Sequence, residues 1–511
     1  MVFGGTYGVQ FGREDDSSDA AESILNKIDF TVDKIYQTFI IDTILYKFQY
    51  NETSKEKRSL TKRGVVVMNN NNYWVERDQK IIAPCQHLSY FPVVVDHIDG
   101  DMIYDVEGNS YIDFLSSASS LNLGSCNEHI TKAVKEQLDK YSQYTICYTY
   151  GRPSIEYAER LASVYPGKVP VKVAFGNCGS DANDAAVKFC RAYTKRTKII
   201  TFINGYHGST YGSMSMSMVT TKMRAKMGPT LPDIYCFPFY DETIGDARCE
   251  RECVADLERA FDTYLDPEEV AAIIIEPIQG DAGLLPAHKI FMKKLYELCQ
   301  KHGIMFIAEE VQQGFYRSGK FFSIEHYDII PDGIILGKSA GGGFPLGAFI
   351  GKAEMMDVLP APAHLFTLGG NAVSCVAGIA QFDYMQSEEF QNILKENTKI
   401  MNDCLADICR KHPDVAFSTS GIDMSKALVI KQRNENGNMV PDPDGAYKIL
   451  FRAYEKGLLV ISLAGNRLRL QPPLNIKPEN LKRGFEIIEE SIVDYKAGLI
   501  TDECLKYRNG W

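Results

Sequence analysis

This sequence of 511 residues lacks several features that are typical of membrane, nucleic-acid-binding and metal-binding proteins. No apolar run reaches the roughly 18 residues that a membrane-spanning helix needs, so no membrane partner is expected. Positive charge is scarce: the formal net charge is -11 and the isoelectric point is about 5.5, which argues against a nucleic-acid partner. The thirteen cysteines form no Cys-x-x-Cys pair. We therefore expect reduced thiols, a cytoplasmic protein and no metal site.

The chain is too long for a single hydrophobic core, and its pattern changes along its length. An irregular start is followed by a short β-meander with Asp-Gly and Glu-Gly-Asn turns, then by alternating helices and strands, and finally by helices with one more apolar strand, "GLLVISL". We divide the chain into an N-terminal appendage (1–84), a small α+β domain built from both chain ends (85–125 and 380–495), a large domain (126–379) and a C-terminal tail (496–511).

The middle of the chain alternates apolar strands with helical stretches. The strands read "KVAF", "KIITFI", "AAIIIE", "IMFIAE" and "GIILGK". This alternation predicts an α/β fold with a mostly parallel sheet covered on both faces. Ligands of such sheets bind beyond the carboxyl ends of the strands. The rule brings Glu276, Glu309 and Lys338 together, because each ends its own strand.

Three further features near strand ends could hold a ligand. Gly179 and Ser180 begin a long helical pattern, where backbone N–H groups can cradle a phosphate, although the same turn could simply cap the helix. Tyr206 lies between glycines and could stack on a flat ring or pack in a turn. Lys338 follows Ile-Ile-Leu-Gly and precedes three glycines. Burial there would lower its pKa and make it a nucleophile rather than a solvated surface lysine.

A phosphate cradle, a ring-stacking group, a buried lysine and a carboxylate are the four contacts that hold pyridoxal phosphate. Residues from about 91 to 492 resemble the class III, fold type I pyridoxal-phosphate enzymes, the ω-aminotransferase family. The segment "AEEVQQGFYRSGKFF…PDGIILGKSAGGGFPLGA" carries that family's lysine signature. The resemblance implies a fold type I architecture, pyridoxal phosphate as cofactor, and a homo-oligomer that is a dimer or a dimer of dimers.

The resemblance also implies roles for individual residues. Lys338 would be the Schiff-base lysine, Gln312 would contact the ring hydroxyl, Gly179 and Ser180 would hold the phosphate, Tyr206 would stack on the ring, and Thr367 would reach the phosphate of the neighbouring subunit. The partner of the pyridine nitrogen is normally Asp, and Glu309 stands there in this sequence. A longer carboxylate can still make this charge-assisted bond of about 1.5–3 kcal/mol if ring or backbone makes room.

Within the family, "SSASSLNLG", "EPIQGDAG" and "ISLAGNRLRLQPPL" resemble the amino-acid racemase and isoleucine 2-epimerase subgroup. We therefore expect an isomerase that inverts Cα of free nonpolar amino acids and yields D-amino acids. Two alternatives stay open. One is an aminotransferase that passes the amino group to a 2-oxo acid, and the other is a catalytically weak pyridoxal-phosphate fold used for binding, prompted by Glu309 and the unmatched N-terminus.

Inversion needs a second acid–base group across the substrate from Lys338, and Asp281 in the "QGD" turn is the candidate. Its alternative role is a salt bridge to Arg469 that closes the pocket. Arg469 is expected to clamp the substrate carboxylate bidentately, with a structural ion pair as its alternative. Tyr148 is expected either to line the substrate pocket or to lie in the core.

Overall fold

The computed structural model describes residues 70–508. Most of the appendage predicted at 1–84 therefore lies outside the described residues. Between residues 70 and 508, no helix is both long and apolar enough to cross a membrane.

The described chain alternates helices and strands as its sequence predicts. Its α-helices are α1 (Asn71–Ile81), α2 (Glu128–Leu138), α3 (Arg152–Ser163), α4 (Gly179–Thr194), α5 (Tyr211–Met216), α6 (Asp246–Glu252), α7 (Ala255–Thr263), α8 (Lys289–His302), α9 (Ala353–Met356), α10 (Ala372–Met385), α11 (Glu388–Lys411), α12 (Pro443–Glu455) and α13 (Pro478–Lys496). A separate helical turn at Ser116–Ser119 is left-handed. Short 3-10 segments lie at Pro84–Gln86, Pro166–Lys168, Thr221–Met223, Pro267–Glu269, Ser323–Tyr327, Lys338–Gly341 and Asp502–Tyr507.

The strands form a large sheet, two smaller sheets and a two-stranded ribbon. They are β1 (Val95–Asp99), β2 (Met102–Asp105), β3 (Ser110–Asp113), β4 (Val171–Gly176), β5 (Lys198–Phe202), β6 (Ile234–Phe237), β7 (Val270–Ile275), β8 (Ile278–Gln279), β9 (Leu285–Pro286), β10 (Met305–Glu309), β11 (Gly333–Leu336), β12 (Gly347–Lys352), β13 (Ala416–Ile422), β14 (Ser425–Arg433), β15 (Met439–Pro441), β16 (Leu458–Leu459), β17 (Ile461–Leu463) and β18 (Arg467–Leu470).

The large sheet has the order β4-β12-β11-β10-β7-β5-β6. Only β12 runs antiparallel to its neighbours, so the prediction of a mostly parallel α/β sheet is confirmed. Strands β7 and β11 are buried throughout, as expected for strands covered on both faces. The six parallel strands, β4, β5, β6, β7, β10 and β11, end at the same edge of the sheet, so the residues that follow them lie along that edge.

Helix α8 illustrates how the local sequence sets the boundaries of these elements. His288 accepts a hydrogen bond from Ile290 N–H at 3.2 Å and so caps the start of the helix. Gly303 ends the helix: this residue has φ +63°, the left-handed conformation that glycine adopts without strain. Between these ends, Phe291, Leu295 and Leu298 pack in the core below the sheet.

The two smaller sheets pair distant parts of the chain. Strand β16 joins the β1-β2-β3 meander through a parallel pairing of Leu458 with Ile112, while β13, β14, β17 and β18 form another sheet, with β15 beside β14. The single strand predicted for "GLLVISL" is therefore wrong, because the chain crosses between two sheets at the buried Val460. The boundaries drawn for the two domains stay a prediction.

Candidate active site

The predicted clustering at the carboxyl edge of the large sheet is confirmed. Glu276 follows β7, Glu309 ends β10, and Lys338 lies two residues after β11. The pairing of Ala308 with Ile275 and of Glu309 with Ile335 makes the three strands neighbours. Their side chains line a cleft of about 390 Å³, termed here the polar cleft, together with Gly179, Ser180, Tyr206, His207, Asp281 and Gln312. This volume is in the range of cofactor pockets.

Glu276 joins two loops of the polar cleft. Its Oε1 accepts a hydrogen bond from Tyr206 N–H at 2.9 Å, and its Oε2 accepts one from Gly280 N–H at 3.0 Å. Burial is the main effect that raises the pKa of Glu276, to about 7, and the two backbone bonds oppose it. The sequence places Glu276 at a strand end but gives no sign that it fixes the loops carrying Tyr206 and Asp281.

Glu309 is buried and its side chain is folded back on its own backbone. Its Oε1 accepts a hydrogen bond from Val311 N–H at 3.0 Å, which leaves Oε2 for a ligand. Burial first, and then repulsion by Glu276, hold the pKa of Glu309 well above its usual value, with Lys338 opposing them. A buried carboxyl with a raised pKa gains most from a partner that stabilises its charged form, such as the N–H of a protonated ring nitrogen.

The phosphate-type cradle lies at the start of α4. The helix begins at Gly179 without a side-chain cap, so its first N–H groups are available to an anion. Ser180 Oγ accepts from Ser209 N–H at 3.2 Å. A Cβ on Gly208 would lie 2.2 Å from Ser180 Oγ, and one on Gly179 would lie 2.8 Å from Val311 Cγ1. The cradle therefore requires glycine at both positions.

Lys338 and Gln312 lie on the floor of the cleft in constrained positions. Lys338 has φ +45°, a strained value for a residue with a side chain, and such strain is concentrated at functional sites. Among residues 70–508 its ammonium group forms no hydrogen bond or ion pair. A Cβ on Gly280 would lie 2.1 Å from Gln312 Oε1, so the glycine of the "QGD" turn is what allows Gln312 to lie there.

A second cleft of about 480 Å³, termed here the apolar cleft, adjoins the polar cleft and shares Tyr206, Asp281, Gln312 and Lys338 with it. Its walls are mostly aliphatic and aromatic: Leu88, Tyr90, Phe91, Val93, Val95, Leu115, Leu459 and Ile461, with Ser117, Ala118 and Arg469 completing the lining. The two clefts form one site with a polar half and an apolar half.

Arg469 is the cationic group of the apolar cleft, and only 2% of the residue is exposed. Its Nε donates to Gln471 Oε1, and its Nη1 lies 3.8 Å from Asp281 Oδ1. Its Nη2 has no hydrogen-bond partner in the described part of the chain. Burial lowers the pKa of Arg469, and the neighbouring Asp281 opposes that effect. A buried guanidinium nitrogen without a hydrogen-bond partner lowers the stability of the folded protein unless a ligand accepts a hydrogen bond from it.

Two predicted site residues lie elsewhere. Tyr148 is 86% exposed and is absent from the lining of both clefts. The prediction that it lies in the core is wrong, because it belongs to an irregular surface loop. Its role in a substrate pocket stays a prediction. Thr367 is also exposed and its carbonyl accepts from Gln143 Nε2 at 3.1 Å. Its role toward a neighbouring subunit stays a prediction.

The residues present fit pyridoxal phosphate. The start of α4 at Gly179 suits a phosphate, and the buried carboxyl of Glu309 suits a hydrogen bond with the ring nitrogen. Lys338 supplies the amine for covalent attachment, and Tyr206 stands at the cleft wall between them. The Arg469 guanidinium, which lines the apolar cleft, adds a place for a substrate carboxylate beside the cofactor.

Comparison with known proteins agrees with this arrangement. The sequence model described as aminotransferase class-III matches residues 84–492. The chain is 37% identical to isoleucine 2-epimerase of Lentilactobacillus buchneri over 86% of this chain and 98% of that protein. It is 36% identical to leucine/methionine racemase of Thermococcus litoralis over 86% of this chain and 99% of that protein. The chain also superposes on a taurine:2-oxoglutarate aminotransferase from Bifidobacterium kashiwanohense, which was solved with PLP and glutamate. The TM-score is 0.75 at 26% identity, over 83% of this chain and 98% of that chain.

Glu309→Gln tests the group proposed for the ring nitrogen. The amide cannot form the charge-assisted bond of about 1.5–3 kcal/mol, so the dissociation constant of pyridoxal phosphate, measured by fluorescence titration of the cofactor-free protein, should rise by about 10- to 150-fold. Glu309→Asp should retain binding and turnover, because a shorter carboxylate can still accept from the N–H two residues ahead.

Glu310→Gln is the matched control, since Glu310 is equally buried but bonds to Ser323 and Ile324 away from the cleft. It should lower thermal stability and leave cofactor affinity unchanged. Unchanged affinity in Glu309→Gln would mean that another group holds the ring nitrogen.

Proposed function

Because the chain belongs to the class III aminotransferase family, we propose that it is a racemase or epimerase that inverts Cα of free nonpolar amino acids and yields D-amino acids. Pyridoxal phosphate is its cofactor. The relatives named isoleucine 2-epimerase and leucine/methionine racemase align over nearly their whole length, which supports an amino-acid substrate with an apolar side chain.

One observation carries the proposal. Asp281, Lys338 and Arg469 all line a single cleft whose other walls are mostly apolar. A free amino acid has a carboxylate for Arg469, a Cα proton to be moved by an acid–base group, and a side chain for the apolar wall. The cleft thus has a place for each part of the substrate.

The chemistry divides between cofactor and protein. When bound, pyridoxal phosphate serves as the electron sink that makes a substrate Cα proton acidic. Glu309 Oε2 would hold the ring nitrogen and Gln312 the ring hydroxyl, while Gly179 and Ser180 would hold the phosphate and Tyr206 would stack on the ring. The amine of Lys338 would attach the cofactor and, once displaced by substrate, would remove or return the Cα proton on one side.

Asp281 is the proposed acid–base group for the other side of Cα. Its Oδ1 lies 3.8 Å from Arg469 Nη1, at the outer limit of an ion pair. The pairing therefore holds Asp281 at the cleft without consuming its oxygens in a short hydrogen bond. The same ion pair favours the second candidate function, a class III aminotransferase. In that case Asp281 would only neutralise Arg469. The Cα proton would not be returned to Cα, and the substrate would leave as a 2-oxo acid.

We also propose a homo-oligomer in the cytoplasm. Thr367 is exposed and outside both clefts of its own chain, which supports a role in a neighbouring subunit's cleft. Tyr148 and Tyr150 are 86% and 97% exposed on the single chain, and aromatic side chains are favoured in subunit interfaces. All thirteen cysteines are free, which supports a reducing compartment.

A substrate panel tests the proposed function. L-isoleucine, L-leucine, L-valine, L-methionine and L-phenylalanine are incubated with the holoenzyme, and the products are separated on a chiral column. We expect D-products or D-allo-isoleucine from several of them, with preferences that differ by about 1–3 kcal/mol per methylene. Activity confined to terminal amines such as ornithine would refute the proposal.

Asp281→Asn separates the two roles of Asp281. An acid–base role predicts a loss of inversion of about 100-fold or more, while deuterium from D2O still enters L-isoleucine with retention through Lys338. A role limited to pairing with Arg469 predicts continued inversion with a raised KM. Lys338→Ala, the control, should lose both exchange and inversion.

A further inference from the structure

The turn Ser116–Ser119 has an unusual backbone. Its four residues have φ of +40°, +48°, +56° and +63°, so they form a short left-handed helix although none of them is glycine. L-residues normally enter this conformation singly, because Cβ crowds the following carbonyl oxygen. Such strain persists only where the surroundings impose it, and it is concentrated at functional sites.

Buried polar groups impose this conformation from outside the turn. Asp113 Oδ1 accepts hydrogen bonds from Leu115 N–H at 2.7 Å and Ser116 N–H at 2.8 Å. Ser116 Oγ donates to the carbonyl of Gln471 at 2.7 Å and accepts from Arg317 Nη2 at 3.1 Å. The Arg317 side chain is fully buried. The strain is therefore held by a network that is inaccessible to solvent.

The turn presents its middle residues to the site. Ser116 and Ser119 are buried, whereas Ser117 and Ala118 are exposed and line the apolar cleft beside Lys338 and the aliphatic walls. Their side chains are the smallest available apart from glycine, so this part of the wall takes little space. A right-handed or extended path would direct different atoms into the cleft.

The same network reaches the group proposed for the substrate carboxylate. Gln471 accepts from Ser116 through its carbonyl and from Arg469 Nε through its side chain. Its amide nitrogen donates to Ser425 Oγ at 2.8 Å. The left-handed turn and the guanidinium of Arg469 are thus fixed to one residue, which sets the distance between the carboxylate site and the wall.

We propose that the left-handed turn is a specificity-determining element, in which Ser117 and Ala118 form the wall against the substrate side chain and select bulky aliphatic amino acids over alanine. The strain of the turn is the cost of placing small side chains at a fixed distance from Arg469. This inference rests on the proposed function for the identity of the substrate, and its stability consequence is independent of that function.

Ala118→Gly tests the proposal with two readouts. Glycine adopts a positive φ without strain, so the melting temperature of the holoenzyme should rise. The wall also loses the methyl group that is proposed to contact the isoleucine side chain and that alanine is too short to reach, so the ratio of kcat/KM for L-isoleucine to that for L-alanine should fall by about 10-fold, the lower end of the effect of one methylene in an apolar pocket.

Lys195→Gly is the matched control, because Lys195 has φ +60° at the end of α4 and does not line either cleft. It should raise the melting temperature and leave the substrate ratio unchanged. A lower melting temperature in Ala118→Gly, or an unchanged substrate ratio, would overturn the proposal. A wild-type enzyme that inverts neither amino acid would instead refute the proposed function, whatever the melting temperatures.

Discussion

The site depends on one buried carboxylate with two backbone partners. Glu276 accepts hydrogen bonds from the N–H groups of Tyr206 and Gly280, and these bonds tie the loop after β5 to the turn between β8 and β9. Burying a carboxylate is unfavourable unless such bonds compensate for lost water. Because Tyr206 and Asp281 belong to these two loops, the clamp fixes the ring-stacking group relative to the proposed acid–base group.

A second buried carboxylate and a lysine complete the electrostatic arrangement. Glu276 and Glu309 repel each other, and the nearby Lys338 reduces that repulsion. A cofactor with an anionic phosphate and a basic ring nitrogen suits these groups, because Glu309 could pair with the ring nitrogen and the start of α4 could hold the phosphate. The apolar cleft next to them lowers the local dielectric and strengthens each of these interactions.

The sequence predicts the sheet and its functional edge because strands buried on both faces give continuous apolar runs that end visibly in Glu276, Glu309 and Lys338. It does not predict the clamp, since a hydrogen bond from Glu276 to another loop leaves no local pattern. The left-handed turn is equally hidden, because "SSAS" contains no glycine and its conformation is imposed by Asp113 and Arg317. The sequence does not show that Tyr148 is exposed on its own chain, because its loop has no periodicity to indicate which side chains face inward.

The most direct test of the account counts the products formed per active site. The holoenzyme is mixed with excess L-isoleucine in D2O without any 2-oxo acid, and both D-allo-isoleucine and 2-oxo acid are quantified over time. The account predicts many equivalents of D-allo-isoleucine carrying deuterium at Cα, and at most one equivalent of 2-oxo acid per site. One equivalent of 2-oxo acid followed by no further reaction, with no D-product, would contradict it.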